Sequence, residues 1–308
     1  MRMTASLPES IQVLERGWLS SNSVLLFDGE TATLVDSGYV TEAGETVAML
    51  NAALRGRTLT RLINTHSHSD HIGGNAAVQR AFGCRIAVPE ALAPIVARWD
   101  RTALLLDVAG QNAEPFSVDE TIAPGDTFVA GGLCWEAIAA PGHDATALVF
   151  YNREHGVLLS GDALWADGFG ILFGNVLGGY DALTDARKTL QTLQSLAVQW
   201  VIPGHGAPFQ DFAGALDRAW GRLEAFAKEP ERIARNALRA CFAFYLLEHR
   251  RLTRDAIRSA LATIPLFVQA NDRFLHQSPE ALTEWVAAAL VAAGRARWEG
   301  ETLVALIS

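Results

Sequence analysis

Short apolar runs broken by turn residues fill the first part of the chain, and helical spacing takes over towards its end. Between residues 11 and 36 the runs IQVLERGWL, SVLLFDG and ATLVDSG predict a β-meander that turns at Asp28-Gly29. Residues 41 to 54 place Val47, Leu50 and Leu54 at helical spacing. A strand over 61–64, a helix over 75–82, a strand over 85–88 and a helix over 89–100 with a break at Pro94 follow. Residues 101–120 carry Leu104-Leu105-Leu106 but no clear period, and read as a helical insert that overhangs a site. Strands are predicted over 127–129, 134–139, 147–151 and 157–159, a helix over 184–196, and a last strand over 199–202. Two runs of strands, each followed by helices, predict an α/β layered sheet with helices outside.

After residue 212 the pattern becomes helical, over 212–228, 231–251, 253–264 and 279–293. Ser278-Pro279-Glu280 is a helix start, with Ser278 as N-cap and Pro279 in the first position. The closing ARWEGETLVALI predicts two short strands around Glu299-Gly300. Helices followed by a hairpin resemble a winged-helix module. From residue 228 onward the chain holds 11 Lys and Arg against 9 Asp and Glu, a balance of +2, which leaves −11 for residues 1–227. So small a positive balance favours a tail that caps the fold, shapes a pocket or mediates a homodimer over one that reads nucleic acid.

The chain has 308 residues, half of them hydrophobic and 19% charged, enough for a large core and more than one domain. Its net charge of −9 argues against broad nucleic-acid binding. The start, MRMTASLPESIQVL, has no apolar run of signal-peptide length and no stretch approaches membrane-spanning length, so a cytoplasmic protein is expected. Cys84, Cys134 and Cys241 are far apart and form neither a metal pattern nor a disulfide framework; Cys84 and Cys134 sit in strand-like runs and are expected in the core.

The chemistry concentrates in His66-Ser67-His68-Ser69-Asp70-His71, between the strand ending at Asn64 and the Gly73-Gly74 pair that lets a helix start at Asn75. Loops at strand ends are where a rigid scaffold carries its sites. In extended backbone alternate side chains share a face, so His66, His68 and Asp70 would converge and His71 would point elsewhere. That arrangement suits two adjacent metal positions better than one.

HSHSDH resembles the H-x-H-x-D-H motif of the metallo-β-lactamase superfamily. Thr33-Leu34-Val35-Asp36-Ser37-Gly38, Pro141-Gly142-His143, Ser160-Gly161-Asp162 and Pro203-Gly204-His205-Gly206 match the rest of its pattern in order, over roughly residues 10 to 212. The resemblance implies a four-layer αββα sandwich over residues 1–212, with residues 213–308 as a mainly helical, winged-helix-like domain. It implies a hydrolase with two divalent metal ions, Zn²⁺ by expectation and Fe or Mn left open by the ligand types. His66, His68 and His143 would hold one metal, Asp70, His71 and His205 the other, and Asp162 would bridge them, with Asp70 and Asp162 as the catalytic carboxylates. Such paired metals lower the pKa of bound water toward about 7. Asp36 would orient a ligand histidine through its free ring N–H. His155, His249 and His276 belong to no motif and read as surface or packing residues.

The segment SGDALWADGFGILFGN resembles the glyoxalase II-like pattern after the bridging aspartate. Trp165, Phe169 and Phe173 would wall a substrate pocket, or simply pack in the core. No Lys or Arg stands between Asp162 and Asp185, which argues against glutathione thioesters and other anionic substrates such as penicillins. Lactonases of the superfamily carry tyrosine where Trp165 stands, and its main zinc β-lactamases carry cysteine where Asp162 stands. The expected activity is hydrolysis of a small ester, thioester or lactone with an apolar acyl part. A phosphodiesterase or nuclease using the tail as its nucleic-acid arm, and a regulatory protein that binds a small ligand without turnover, are the alternatives.

Overall fold

In the computed structural model, which describes residues 6–306, two twisted sheets pack face to face with helices on both outer sides. Met1 to Ala5 of the start, and Ile307 with Ser308 at the end, lie outside the described residues. The elements of the first sheet are β1 (Ile11–Leu14), β2 (Ser23–Asp28) and β3 (Thr31–Val35), then α1 (Ala43–Leu54) and β4 (Thr58–Ile63). The short α2 (Ser69–Ile72) and α3 (Asn75–Phe82) lead to β5 (Arg85–Pro89), and α4 (Ala93–Arg98) and α5 (Leu106–Ala109) to β6 (Glu120–Ile122). These six strands lie side by side in chain order, antiparallel to β3 and parallel from there on.

The second sheet takes β7 (Thr127–Ala130), β8 (Leu133–Ala139), β9 (Leu148–Asn152) and β10 (Val157–Gly161) as an antiparallel meander. After α6 (Phe173–Leu177) and α7 (Ala182–Gln194), β11 (Trp200–Pro203) joins β10 in parallel. Beyond it run α8 (Phe212–Lys228), α9 (Glu231–His249), β12 (Arg251–Thr253), α10 (Arg254–Thr263), α11 (Pro265–Ala270) and α12 (Pro279–Ala292). The chain ends in the hairpin β13 (Ala296–Glu299) and β14 (Thr302–Ala305), and β12 pairs with β14 to make a small third sheet.

Strand alternation distributes the apolar side chains among three layers of core. Val24, Leu26, Val35 and Ile63 meet Trp135, Phe150, Leu159 and Ile202 between the two sheets. Leu25, Leu34, Leu62 and Ile86 face the other way, onto Leu50 and Leu54 of α1 and Val78 of α3. Tyr151 and Leu158, on the far side of the second sheet, meet Leu190 and Leu193 of α7. That cluster runs on without interruption into Leu223, Leu238, Phe242, Phe267 and Leu290. The αββα sandwich expected from the resemblance is therefore present. Its outermost layer continues into the helices that follow residue 212.

Some local expectations change. Cys84 is buried as expected, but Cys134 is exposed, because the period of two in β8 gives the inner face to Leu133 and Trp135 and turns Cys134 outward. Pro94 sits in the first turn of α4, where its missing N–H is harmless, and marks a start instead of a break. The tract 101–120 holds only the four-residue α5, and its end pairs as β6. Neither β12 nor α11 with the π turn over Asn271–Leu275 has a legible period. Among the described residues no helix is long and apolar enough to cross a membrane.

The loop after β1 is pinned to the loop after β11. The Asn22 side chain donates to the carbonyls of Pro203 (3.0 Å) and Gly206 (2.7 Å), and its oxygen accepts from the Arg16 N–H (3.1 Å). Asn22→Ala orphans the buried Pro203 carbonyl and frees the part-buried Arg16 N–H and the Gly206 carbonyl. It is expected to lower unfolding stability by about 1–3 kcal/mol in chemical denaturation. A change within error would show that the clamp is dispensable.

Candidate metal centre

Four strand ends of the sandwich bring the candidate donors to one edge. Asp36 and the His66 loop follow the parallel neighbours β3 and β4, and Asp162 and His205 follow the parallel neighbours β10 and β11. His143 comes from the loop between β8 and β9. Within this cluster His66, His68 and His143 form one group, and Asp70, His71, Asp162 and His205 a second. In each group one donor atom per residue lies within 4.8 Å of the others.

Extended backbone ends at His68, and α2 coils from Ser69. The alternation argument therefore fails one residue later: Asp70 and His71 share a helical turn and join the same group, leaving His66 and His68 to the other. The resemblance implied the same division.

The rings of His66, His71 and His143 are each held through Nδ1, which turns Nε2 toward the cluster. His71 donates through Nδ1 to Asp36 Oδ2 (2.8 Å). His143 Nδ1 donates to the Ile171 carbonyl (2.7 Å). Thr65 Oγ1 donates to Asp36 Oδ2 (2.7 Å) and lies 3.0 Å from His66 Nδ1, from which it accepts. As a result His66 Nε2 and His71 Nε2 are buried without a hydrogen-bond partner, as is His205 Nδ1. His68 Nδ1 and His143 Nε2 stand only 2.6 Å apart. Asp162 presents Oδ2 to His143 Nε2 (3.2 Å) and Oδ1 to His71 Nε2 (3.4 Å), so its two oxygens face the two groups. Asp70 Oδ2 meets His205 Nε2 at 2.9 Å. Orphaned buried imidazole nitrogens, crowded onto carboxylates, are the donor set that a pair of divalent cations completes, and the residues present fit such a pair.

The electrostatics follow from this crowding. Burial and then the charges of His71 and His68 push His66 well below the ordinary histidine range. Burial also disfavours the charged form of His71, but Asp36, Asp162 and Asp70 around it prevail and raise it. Burial would raise Asp162; His71 and His205 overcome it and hold the carboxyl well below the usual range. Backbone shape serves the same cluster. A Cβ on Gly204 would run into Asp162 Oδ1, so the chain before His205 passes the carboxylate only as glycine.

A cavity of about 650 Å³ opens from the two groups, within the range of small-molecule sites. Trp165, Phe169 and Phe173 all line it. Trp165 also donates its indole N–H to Asp162 Oδ1 (3.2 Å), a polar role beyond the expected apolar wall. Phe173 packs its ring edge-on against His68 at 5.0 Å. Phe169 is almost wholly buried against Phe226 and serves the core as much as the cavity. His155, His249 and His276 are not among the clustered donors.

Sequence reading passed over several residues. Trp18 lies near Trp165 (5.6 Å) and His205 (5.0 Å) at the cavity mouth. Asp144 accepts from the Ser67 N–H and Oγ–H, and so ties the His143 loop to the His66 loop. An aspartate directly after Pro-Gly-His was the available signal for it. The third omission bears on substrate. Arg222 on α8, Arg239 on α9, Arg250 just after α9 and Arg295 after α12 line the cavity. The reading that no cation stands near the pocket, taken from residues 162–185 alone, is thus corrected: the fold supplies cations from far downstream.

A family model described as the metallo-beta-lactamase superfamily matches residues 16–205. The chain belongs to the metallo-β-lactamase superfamily. Among curated relatives, a hydroxyacylglutathione hydrolase of Rhodospirillum rubrum is 28% identical over 174 residues, covering 56% of this chain and 59% of that protein. One of Rhizobium etli is 32% identical over 153 residues, covering 49% and 50%. The chain thus spans about half to six-tenths of the length of these relatives. Among solved structures, the B3 metallo-β-lactamase BLEG-1 aligns with a TM-score of 0.56 at 21% identity over 68% of this chain and 97% of that one. A metallo-β-lactamase family protein of Thermus thermophilus aligns with a TM-score of 0.58 at 20% identity over 98% and 100%. The second superfamily likeness takes in the helices after residue 212 and speaks to fold alone.

Asp36→Asn keeps the shape beside His71 but weakens its acceptor. Elemental analysis and metal titration are expected to show about 10–100-fold weaker binding of the equivalent nearest His71, which Asp36 holds directly, and a smaller loss of the one nearest His66, which it reaches through Thr65. Unchanged affinity for both would remove Asp36 from the site.

Proposed function

We propose that this superfamily member is a metal-dependent hydrolase of ester-type bonds, acting on a small thioester, ester or lactone. The observation that carries the reading is the pair of donor groups with free, buried nitrogens, joined by Asp162 and opening directly into a cavity with aromatic walls. Thioesters are the first bond to test, because the curated relatives are named hydroxyacylglutathione hydrolases.

His66, His68 and His143 would hold one divalent ion, Asp70, His71 and His205 the other, and Asp162 both, with zinc first among the metals to test. Such ions polarise the scissile carbonyl and lower the pKa of bound water. The chain's own residues supply placement. Asp36 and Thr65 fix the rings of His71 and His66, and the Ile171 carbonyl fixes His143. The Trp165 N–H restrains Asp162 from the cavity side. Asp70 lines the cavity with its Oδ2 against His205 Nε2 (2.9 Å), which orients both donors. Phe173 and Trp165 exclude water from the acyl part of the substrate and give it an apolar surface.

Two expected outcomes check this reading. Fully loaded protein binds two metal equivalents; Asp162→Ala loses both, whereas His205→Ala loses mainly one, and saturation of the wild type at a single equivalent overturns the paired site. Within a thioester series, kcat/KM rises up to about fourfold per added CH₂ until the cavity is filled, and Trp165→Ala flattens that rise. Activity independent of chain length, or phosphodiesters preferred by orders of magnitude, would refute the ester-type assignment.

A further inference from the structure

The tract between residues 101 and 120 reaches the cavity at one described residue, Gln111. Its side-chain oxygen accepts from Ser69 Oγ (2.6 Å), and Ser69 stands between the donors His68 and Asp70. Ser69 is buried, whereas Gln111 is half-buried and lines the cavity together with those two donors. With Oε1 turned to Ser69, the amide nitrogen is the arm left over. Among the described residues it donates to no protein group, and it is not one of the buried atoms without a partner, so it faces the open cavity.

Gln111 is the polar edge of an apolar stretch of wall. Leu19, Phe244 and Leu247 line the same cavity and pack with Tyr39 into one small cluster. Tyr39 in turn holds the tract. Its hydroxyl accepts from the Asn112 N–H (3.1 Å), and Asn112 Nδ2 donates to Glu248 Oε1 on α9 (3.3 Å). The Gln111 N–H donates to the Leu106 carbonyl (2.8 Å), across a turn in which Gly110 has φ of +67°. A Cβ on Gly110 would come within 2.8 Å of Ile264 Cδ1, so the turn is seated against the residue before α11. The amide is thus carried on a segment fixed both by the sandwich and by the helices after residue 212. A placed donor that no protein group satisfies discriminates among ligands, because a ligand without an acceptor leaves it unpaired.

We propose that Gln111 determines specificity: its amide N–H donates to an uncharged oxygen, of oxo or ether type, that the substrate carries on its acyl chain close to the scissile bond. This deepens the hydrolase reading above and rests on it. Phe173 stands edge-on to His68 at 5.0 Å, so an acyl chain laid on Phe173 passes the His68-Ser69 segment that Gln111 holds. The amide is neutral and the Asp70 carboxylate follows Ser69 directly, so an uncharged oxygen suits the place better than an anion.

The test uses metal-loaded full-length protein and four N-acetylcysteamine thioesters of matched chain length: butanoyl, methoxyacetyl, 3-oxobutanoyl and 3-hydroxybutanoyl. The kcat/KM of each relative to butanoyl is compared between wild type and variant, so that the intrinsic reactivity of each thioester cancels. In Gln111→Met and Gln111→Glu the advantage of methoxyacetyl and 3-oxobutanoyl is expected to fall about three- to tenfold, with metal content retained. The same relative rates as in wild type overturn the proposal. So does an equal fall in Gln79→Met, which loosens the same tract at Ser117 and away from the cavity. A fall confined to 3-hydroxybutanoyl overturns the donor assignment, because a response to hydroxyl alone means that the amide oxygen faces the ligand. Binding is the separate arm, with the thioethers S-(3-oxobutyl)- and S-butyl-N-acetylcysteamine compared by calorimetric titration. Wild-type preference for the oxo thioether, lost in Gln111→Met, without hydrolysis of any thioester refutes the hydrolase reading and leaves the Gln111 contact standing.

Discussion

The Asp36 carboxylate is the constraint on which the candidate site depends. It accepts from the Thr65 N–H (2.9 Å), from Thr65 Oγ1 (2.7 Å) and from His71 Nδ1 (2.8 Å), all in buried surroundings. One side chain thereby joins the end of β3 to the end of β4 and sets two imidazoles of different groups. The geometry demands an unusual backbone, since Asp36 has φ of +57°. Aspartate tolerates that region better than most side chains, and Ser37 beyond it donates to Asn75 Oδ1 (2.7 Å) and so seats the start of α3. A carboxylate, a left-handed backbone and a helix start are thus required of one short stretch, Asp36-Ser37-Gly38.

From this follows the shape of the donor cluster. A histidine can bind a metal only through a nitrogen that no other partner holds, and burial removes water as that partner. The surrounding chain settles which nitrogen is free by occupying the other with Asp36, Thr65 or a carbonyl. The order is therefore set by the folded protein, which also brings His68 Nδ1 within 2.6 Å of His143 Nε2.

What was legible in the sequence was whatever depends on strand ends. The donors stand in the loops that follow short apolar runs, and the parallel pairs β3–β4 and β10–β11 deliver their C-terminal ends to one edge. The period of two revealed the strands, and Phe212–Lys228 was legible to the residue because its apolar stripe is regular. Features that depend on where the chain stops being extended were not legible. The coil at Ser69 regroups Asp70 with His71, and nothing in SHSDH signals it. Cys134 faces out because Trp135 claims the inner face, a competition that an apolar run conceals. Arg222 and Arg239 were invisible as site residues because their distance along the chain from Asp162 says nothing about their distance in space.

That last point bears on the role of the region after residue 212. If it were an arm for nucleic acid, its surplus positive charge should lie outward and be available to phosphates. Most of its outward arginines are instead paired with Glu229, Glu231, Glu284, Glu299 and Glu301, while Arg222 and Arg239 line the same cavity as the candidate donors. Its helices also share one continuous core with α7 and the second sheet, through Leu190, Leu223, Leu238, Phe242 and Phe267. A region with its own core could move as a unit over the sandwich. One whose core is the sandwich's own outer layer holds its part of the cavity wall in place against the candidate donors.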